Sequence, residues 1–354
     1  MSAYNTPMRM DSILRAAIIA GLCGVPLATV QAAGTDNESA FAAAQRGDYA
    51  RAYSLWKPLA EGGDARAQYN VGVLYERGLG VDVDYAQAMY WYLKAAAQGD
   101  TGAQFNLGNL FRRGQGAPAD AAEAVRWYTK AAEAGHPQAQ AALGYMYATG
   151  RGVPRDDATA LEWYRKAADR GVAQAIYDLG VMYARGQGVD RDPAEAERRY
   201  RAAADKGLSD AQNALGKMYR DGDGVKADDA EALRWLRAAA DQKHPEAEYL
   251  LGAMYGEGRG TPQDYAQAVY WWTRAARQNE TDAQYLLCLA YRLGHGVPAD
   301  KIKACAWCEI AVANGSREAA DTRASLIKDM NRDEVKQAED VAALLTKNYI
   351  TKPE

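Results

Sequence analysis

Residues 179–192 read LGVMYARGQGVDRD, and this stretch determines the fold because close versions of it recur along the chain. It joins an apolar run that ends in a tyrosine to two glycines, and then to an aspartate. Self-similarity at a fixed period is the signature of a repeat protein. The period is 36 residues without insertion, and it is marked by the alanines Ala67, Ala103, Ala139, Ala175, Ala211, Ala247, Ala283 and Ala319.

The first half of each repeat is predicted to form an amphipathic helix, which we call helix A. In the first copy Val71, Leu74 and Tyr75 fall on one helical face. Gly78 and Gly80 follow, and glycines recur at both positions in all seven copies. Glycine directly after a helix adopts a left-handed backbone that other residues resist. The first glycine of the pair is therefore predicted to end helix A.

An aspartate precedes the second helical segment, helix B, in every copy. Its carboxylate can accept a hydrogen bond from a free backbone N–H, so we interpret these aspartates as helix N-caps rather than catalytic or metal-binding groups. In five copies Gln or Glu lies three residues further on, which predicts a reciprocal capping box. The caps are Asp84, Asp120, Asp156, Asp192, Asp228, Asp264 and Asp300, and the five partners are Gln87, Glu123, Glu195, Glu231 and Gln267.

Glycine also lies in the middle of helix A, at Gly72 and its equivalents through Gly252, where it costs up to about 1 kcal/mol relative to alanine. This cost predicts a close approach of two helices, with Gly72 facing Ala88 while Trp91 and Tyr92 fill the wider spaces. Helices of about a dozen residues are marginal alone in water, so each pair needs its neighbours. The sequence therefore predicts an all-α solenoid.

The combined pattern closely resembles the Sel-1-like repeat (SLR) family, relatives of the tetratricopeptide repeats with a longer turn between the helices. It reads A-x-x-x-L-G-x-x-Y-x-x-G-x-G-V-x-x-D-x-x-x-A-x-x-W-Y-x-x-A-A-x-x-G and keeps phase through seven copies over residues 67–318. The resemblance implies a right-handed superhelix of helix pairs, whose concave wall of A helices holds a segment of a partner protein. It also implies an adaptor role in signalling, envelope assembly or host contact.

Both ends of the array depart from the repeat pattern and are predicted to cap it. Residues 33–66 read as a degenerate first pair, in which Pro58 is expected to interrupt the second helix. Residues 319–354 are expected to form C-terminal capping helices, where Asn331 and Glu334 make a capping box.

Residues 1–32 are predicted to be a secretory signal. Basic residues precede an apolar stretch, Ala16 to Val30, and small residues at its end predict cleavage after Ala32. A transmembrane helix is the alternative, but spanning needs about 20 apolar residues and Pro26 interrupts this run. A lipoprotein attached at Cys23 is a second alternative. We expect an exported protein, periplasmic or secreted, with no integral membrane segment after cleavage.

The charge pattern argues against nucleic acid as a partner. The chain has 42 basic and 46 acidic residues, a net charge of -4, and the two signs are interspersed. A nucleic-acid-binding protein needs a basic stripe or patch, which this sequence lacks. A protein or peptide is the expected partner.

The sequence also lacks the usual signatures of catalysis. H-E-x-x-H, G-x-S-x-G and G-x-x-x-x-G-K are absent. S-x-x-K occurs twice, from Ser54 to Lys57 and from Ser325 to Lys328, without the Ser-Asp-Asn and Lys-Thr-Gly companions of a penicillin-recognising site. We predict a non-catalytic protein without a cofactor. The alternatives are β-lactam or cell-wall ligand binding or hydrolysis, as in a cysteine-rich branch of the family, and a structural role in an envelope assembly.

No metal site is predicted either. His136 and His244 share one turn position but lie three repeats apart, and His295 belongs to another turn. Cys305 and Cys308 form a C-x-x-C on a helix, but no second pair accompanies them.

Three cysteines, Cys288, Cys305 and Cys308, lie within one repeat and could form a disulfide in an exported protein. Cys288 takes the place of Gly72 and should point at helix B, where Cys308 lies on the inward row. We therefore favour a Cys288–Cys308 bond over Cys288–Cys305, with three reduced thiols as the remaining alternative.

The A helices also carry the positions at which the repeats differ, and a partner is expected there. Amides and guanidinium groups can bind a peptide backbone or carboxylates. We predict a groove graded from polar and basic to apolar, which accepts an extended or helical segment with an acidic end. The alternative is solvated side chains, with the leucines packed under the cap. The candidates are Asn70, Arg77, Asn106, Asn109, Arg112 and Arg113, followed by Leu250, Leu286, Leu289 and Leu293.

Overall fold

The computed structural model describes residues 33–350, and this part of the chain is all-α. It contains eighteen helices and no strand. The helices are α1 (Ala33–Gln45), α2 (Tyr49–Glu61), α3 (Ala65–Arg77), α4 (Tyr85–Ala97), α5 (Thr101–Arg113), α6 (Ala121–Glu133), α7 (Pro137–Thr149), α8 (Asp157–Asp169), α9 (Ala173–Arg185), α10 (Pro193–Ala204), α11 (Ser209–Asp221), α12 (Asp229–Asp241), α13 (Pro245–Glu257), α14 (Tyr265–Arg277), α15 (Thr281–Leu293), α16 (Lys301–Ala313), α17 (Arg317–Lys328) and α18 (Arg332–Tyr349).

The helices form two compact units, divided between Ala134 and Gly135. The N-terminal unit holds α1 to α6 and the C-terminal unit holds α7 to α18. Within each unit every A helix packs against the B helix that follows it, and each B helix packs against the next A helix. At the C-terminus α16 packs against both α17 and α18. The predicted all-α fold of 36-residue helix pairs is confirmed.

The two loop glycines act in different ways. Gly186 ends α9 in the left-handed conformation, with φ 68°, as predicted, and the equivalent glycine ends helix A in the other six copies. Gly188 also has a positive φ, 67°, and a Cβ there would lie 2.5 Å from the carbonyl oxygen of Asp157. Asp157 begins α8, the B helix of the preceding repeat. The second glycine therefore sets the contact between consecutive repeats.

All seven aspartates cap helix B, which confirms the N-cap prediction. In the first copy Gln87 N donates to Asp84 Oδ1 at 2.9 Å. The backbone N–H of Asp84 donates to the carbonyl oxygen of Tyr75 at 3.0 Å, and the same bond recurs in every copy. The aspartate thus caps helix B and also ties it to the end of helix A.

This second bond explains why the five predicted capping boxes are wrong. The N-cap N–H that a box would satisfy already donates to helix A, so the Gln or Glu side chain is not needed there. Glu195, for example, forms ion pairs with Arg198 and Arg199 instead. The box predicted at Asn331 and Glu334 is confirmed, with both of its bonds at 2.9 Å.

The nearest neighbour of Gly72 is an aromatic ring, whereas we predicted Ala88. A Cβ on Gly72 would lie 2.6 Å from Cε1 of Tyr92, which is fully buried. Ala88 lies one turn earlier on the same helix, and the longer ring reaches across into the space that the missing side chain leaves. The same contact recurs as Gly108–Tyr128, Gly144–Tyr164, Gly180–Tyr200, Gly216–Leu236 and Gly252–Trp272.

Pro58 does not interrupt its helix, contrary to our expectation. Helix α2 continues through Pro58 to Glu61. The proline removes one N–H close to the helix end, so little helix remains to be displaced. Contacts on both sides also hold this turn, because Trp56 Nε1 donates to Asn37 Oδ1 at 2.8 Å and the Ala60 carbonyl accepts from Gln68 at 3.0 Å.

Candidate functional site

Two of the predicted partner-binding residues make no side-chain hydrogen bond or ion pair within the described part of the chain. Asn70 and Arg77 lie on α3 and are partly exposed. No hydrogen bond or ion pair joins either side chain to another residue in the described range 33–350. An amide and a guanidinium group are therefore available to a ligand on this helix.

Three other predicted residues bind the tyrosines of the B helices. Asn106 Nδ2 donates to the Tyr92 hydroxyl at 3.1 Å, and Arg112 Nε donates to the Tyr128 hydroxyl at 3.3 Å. The Tyr128 hydroxyl in turn donates to Asn109 Oδ1 at 2.8 Å. Asn109 is only 7% exposed. These side chains support the repeat, which sequence reasoning missed because it treated the tyrosines as apolar filling.

The tyrosine hydroxyls take part in a polar network beneath the surface of the N-terminal unit. The Tyr92 hydroxyl donates to Glu76 Oε2 at 2.6 Å, and burial raises the pKa of Tyr92 well above its usual value. The ring of Tyr69 lies 5.9 Å from that of Tyr92, and burial raises the pKa of Tyr69 to about 12. Both hydroxyls therefore remain protonated near neutral pH. We call the surface formed by Asn70, Arg77, Asn106, Arg112 and Arg113 on α3 and α5 the N-terminal A face.

The predicted apolar positions lie in the C-terminal unit and differ in how exposed their side chains are. Leu250 is 4% exposed and belongs to the core, while Leu286 is partly buried against that core. Leu289 is also partly buried, and Leu293 is 58% exposed. Leu250 is therefore a core residue, Leu286 and Leu289 are partly accessible, and Leu293 is the exposed one.

Acidic residues occupy the A helices of the C-terminal unit, which we did not predict. Glu246 accepts a hydrogen bond from Asn213 at 2.8 Å and pairs with Lys217. Burial, with a contribution from Asp282, raises the pKa of Glu280 to about 7. Burial also raises the pKa of Asp178 to about 7. The available signal was the 36-residue spacing of Asp210, Glu246 and Asp282, which stand where the first repeat has Arg66.

Two of the A helices begin with a histidine N-cap that is followed by a proline. Ala139 N donates to His136 Nδ1 at 3.2 Å, and Ala247 N donates to His244 Nδ1 at the same distance. Burial lowers the pKa of His136 to about 4, which keeps this nitrogen an acceptor near neutral pH. In the described part of the chain, no three His, Cys, Asp or Glu side chains are grouped as metal ligands would be.

Other groups with reactive chemistry are engaged elsewhere. Ser54 Oγ donates to the Arg51 carbonyl at 2.8 Å, and Lys57 pairs with Glu61 at 2.7 Å. A nucleophilic serine would instead be hydrogen-bonded to its lysine base, so this S-x-x-K pair does not have the arrangement of a catalytic site. None of the helices between residues 33 and 350 has the length and apolar character needed to span a bilayer.

The structure joins Cys288 to Cys308 in a disulfide, with the two Cα atoms 5.2 Å apart. Cys288 lies on α15 and Cys308 on α16, so the bond links helix A to helix B of the seventh repeat. Cys305 is a free thiol, fully buried on α16.

Comparison with known proteins gives one family. The sequence profile of the Sel1 repeat matches residues 65–100, 101–136, 137–172, 173–208, 209–244, 245–280 and 281–316. The crystal structure of a Sel1 repeat protein from Oxalobacter formigenes is 35% identical, with a TM-score of 0.67, over 89% of this chain and 90% of that chain.

A second crystal structure, of a protective antigen present in uropathogenic Escherichia coli strains and displaying an SLR fold, is 28% identical. It covers 90% of this chain and 84% of that chain, with a TM-score of 0.46. The curated proteins give no significant match.

Proposed function

The chain belongs to the Sel1 repeat family, and from this membership we propose that it is a non-catalytic adaptor that binds a protein or peptide through its N-terminal A face. Sel1 repeat proteins generally mediate protein–protein interactions. The observation that carries the proposal is the state of Asn70 and Arg77. Both are accessible and without a side-chain partner in the described residues, beside a network in which Asn106 and Arg112 are held in place by tyrosines.

The chemistry of this face defines the partner. A guanidinium group pairs best with a carboxylate, through two parallel hydrogen bonds, and a carboxamide can both donate to and accept from a peptide backbone. Arg77, Arg112 and Arg113 bring three positive charges to α3 and α5. We therefore propose an extended or helical protein segment with an acidic end as the ligand.

Crosslinking and mass spectrometry in the native cell test the adaptor proposal. The test variant is Asn70→Ala/Arg77→Ala, which removes the two side chains without an internal partner. The matched control is Gln87→Ala/Arg126→Ala, which removes one amide and one guanidinium group from the outer faces of α4 and α6. A protein captured by the wild type and by the control, and lost with the test variant, is the expected result. Equal capture by all three would refute the assignment of this face.

We also propose that the chain is exported, on the basis of the signal pattern in residues 1–32, which lie outside the described residues. Cell fractionation and N-terminal sequencing test this proposal. We expect a mature chain that begins at Ala33 outside the cytoplasm, and an uncleaved precursor for Ala32→Arg, because signal peptidase requires a small residue there. A cytoplasmic protein that retains residue 1 would contradict it.

A further inference from the structure

The seventh repeat replaces a packing contact with a covalent bond. In the first six repeats a glycine on helix A lies against a large side chain on helix B, as Gly72 lies against Tyr92. Cys288 stands at the register position of Gly72, and Cys308 stands at that of Tyr92. Both members of the contact have therefore changed together, and the structure joins the new pair as a disulfide.

Two cysteine thiols cannot replace the contact area that a large side chain supplies at this position. A buried aromatic side chain brings about 150–250 Å² of contact area to a core, and a cysteine side chain is far smaller. Once the disulfide is reduced, α15 and α16 have neither the large side chain that fills this contact in the other repeats nor the bond. The connection between the two helices in this repeat then depends on the neighbouring contacts alone.

The affected helix also carries the C-terminal cap. Helix α16 packs against α17 and α18 and buries Cys305, Trp307 and Ile310. In a repeat protein each helix pair is stabilised by its nearest neighbours, and terminal elements open most readily. A weaker contact between α15 and α16 should therefore first loosen the C-terminal cap helices, α17 and α18.

We propose that the seventh repeat is a redox-sensitive element, in which reduction of the Cys288–Cys308 bond loosens α15 to α18 and leaves the other repeats folded. A dithiol supplies the two electrons and two protons. One of its sulfurs attacks the bond, and its second sulfur then displaces the protein thiol. The products are thiols at Cys288 and Cys308 and a disulfide in the former dithiol.

Hydrogen exchange measured by mass spectrometry on the purified full-length protein tests this proposal, with dithiothreitol as the reductant. We expect exchange in α15 to α18 to rise at least tenfold on reduction, while exchange in α7 to α14 changes less than twofold. Unchanged exchange in α15 to α18, or an equal rise throughout the C-terminal unit, would overturn it.

Two double variants separate the effect of the disulfide from the effect of the side chains that fill the contact. Cys288→Gly/Cys308→Tyr restores the contact of the other repeats, and Arg292 stands where Arg112 binds the hydroxyl of Tyr128. Cys288→Ala/Cys308→Ala removes both the bond and the ring. Each variant has Cys305 as its single thiol within α15 to α18, and alkylation of Cys305 reports opening of the cap because this side chain is fully buried in the closed state.

We expect Cys305 to be alkylated at least tenfold faster in the alanine variant than in the glycine–tyrosine variant, with no effect of dithiothreitol on either. Equal rates in two folded variants would overturn the proposal. If circular dichroism shows that the glycine–tyrosine variant does not fold, the alanine variant is compared with the oxidised wild type. Faster alkylation of Cys305 in the alanine variant then supports the proposal, and equal rates reject it.

Discussion

Two residues show how far single positions can depart from the repeat. Lys243 and Asn279 have φ values of 65° and 68°, in the left-handed region that glycine occupies at Gly99 and Gly207 in other repeats. An L-residue in this conformation costs about 1–2 kcal/mol, because its Cβ approaches the backbone carbonyl oxygen. The turn that ends helix B therefore imposes its backbone conformation even where the sequence supplies a side chain.

Lys243→Gly should stabilise the protein by about 0.5–1 kcal/mol, since relief of this strain exceeds the entropy that glycine loses on folding. Lys243 is exposed, so no buried contact is lost. The reciprocal substitution, Gly207→Lys, should cost a similar amount, because a Cβ at Gly207 meets no atom within 4 Å. Urea unfolding measures both changes, and a loss of stability in Lys243→Gly would contradict the strain argument.

Asp178 is a single residue that should make stability depend on pH. Burial raises its pKa from 3.8 to about 7 in the folded protein. The folded chain therefore binds a proton that the unfolded chain releases, and the stability this supplies is present below pH 4 and lost as pH rises through 7. The side chain accepts from Gln174 Nε2 at 3.2 Å, a bond that an asparagine oxygen can keep.

Asp178→Asn should therefore be more stable than the wild type at pH 8, by about 1–2 kcal/mol, since partial exposure reduces the full effect of the shift. The difference should be small at pH 4. Asp190→Asn, in an exposed loop, removes the same charge without the burial and serves as the control. Melting temperatures at pH 4, 6 and 8 test the prediction, and parallel curves for wild type and Asp178→Asn would reject it.

At the scale of a helix pair, the contact of glycine with a ring determines how closely helix A and helix B pack. A Cβ on Gly180 would lie 2.7 Å from Cδ1 of Tyr200. Alanine has the better helix propensity, by about 1 kcal/mol, but overpacking a core costs about 1–3 kcal/mol. Gly180→Ala should therefore destabilise the protein by about 1–2 kcal/mol.

The matched background for this prediction is Tyr200→Ala, which removes the ring. In that background Gly180→Ala should become neutral or stabilising, because helix propensity still favours alanine and the collision with the ring is gone, which leaves Arg199 Cβ at 3.3 Å as the nearest contact. Chemical unfolding of the four proteins completes the double-mutant cycle. Simple additivity of the two substitutions would show that the glycine is not required by the ring.

The start of helix B depends on its cap. Asp228 accepts hydrogen bonds from Ala230 N and Glu231 N, each at 3.0 Å. Asp228→Ala should cost about 1 kcal/mol, and Asp228→Asn should retain most of the stability because its oxygen still accepts. Hydrogen exchange at the first turn of α12 tests this local effect. Equal protection in the alanine and asparagine variants would argue against the cap as its source.

The ends of the helices could be predicted from the sequence wherever a single residue determines the backbone conformation next to it. The glycine stops and the aspartate caps could be predicted because each acts on the backbone within a few residues. The capping boxes failed, because the N–H of Asp84 already donates to the carbonyl oxygen of Tyr75, nine residues earlier in the chain. The partner of Gly72 was also missed, since it depends on the length of the Tyr92 side chain across two helices.

At the scale of the whole molecule, the 36-residue period gave the fold, but the candidate site was only partly predictable. The sequence pointed to the A helices, and Asn70 and Arg77 remain the candidates there. It could not show that Asn109 is buried, because that depends on a hydroxyl brought by the following helix. Nor does any repeated motif reveal the raised pKa of Glu280, which arises from burial and from the carboxylate of Asp282.

The same period predicts that damage to one inter-repeat contact spreads only to neighbouring repeats, because each repeat is stabilised by its nearest neighbours. Gly188→Ala tests this, since its Cβ would meet the Asp157 carbonyl oxygen at 2.5 Å in a backbone with φ of 67°. It should cost about 2–4 kcal/mol, from overpacking and from the left-handed conformation together. Gly207→Ala has the φ penalty alone, because no atom lies within 4 Å, and should cost about 0.5–1 kcal/mol once the entropy that glycine loses on folding is subtracted.

Hydrogen exchange along the chain distinguishes local from global loosening for these two variants. In Gly188→Ala we expect faster exchange in α8, α9 and α10, which adjoin the damaged contact, and unchanged exchange in α15 to α18 and in the N-terminal unit. The control should change exchange only around α10 and α11. If protection instead fell equally in every helix of the C-terminal unit, that unit would unfold as one cooperative body, and its stability could not be a sum over neighbouring repeats.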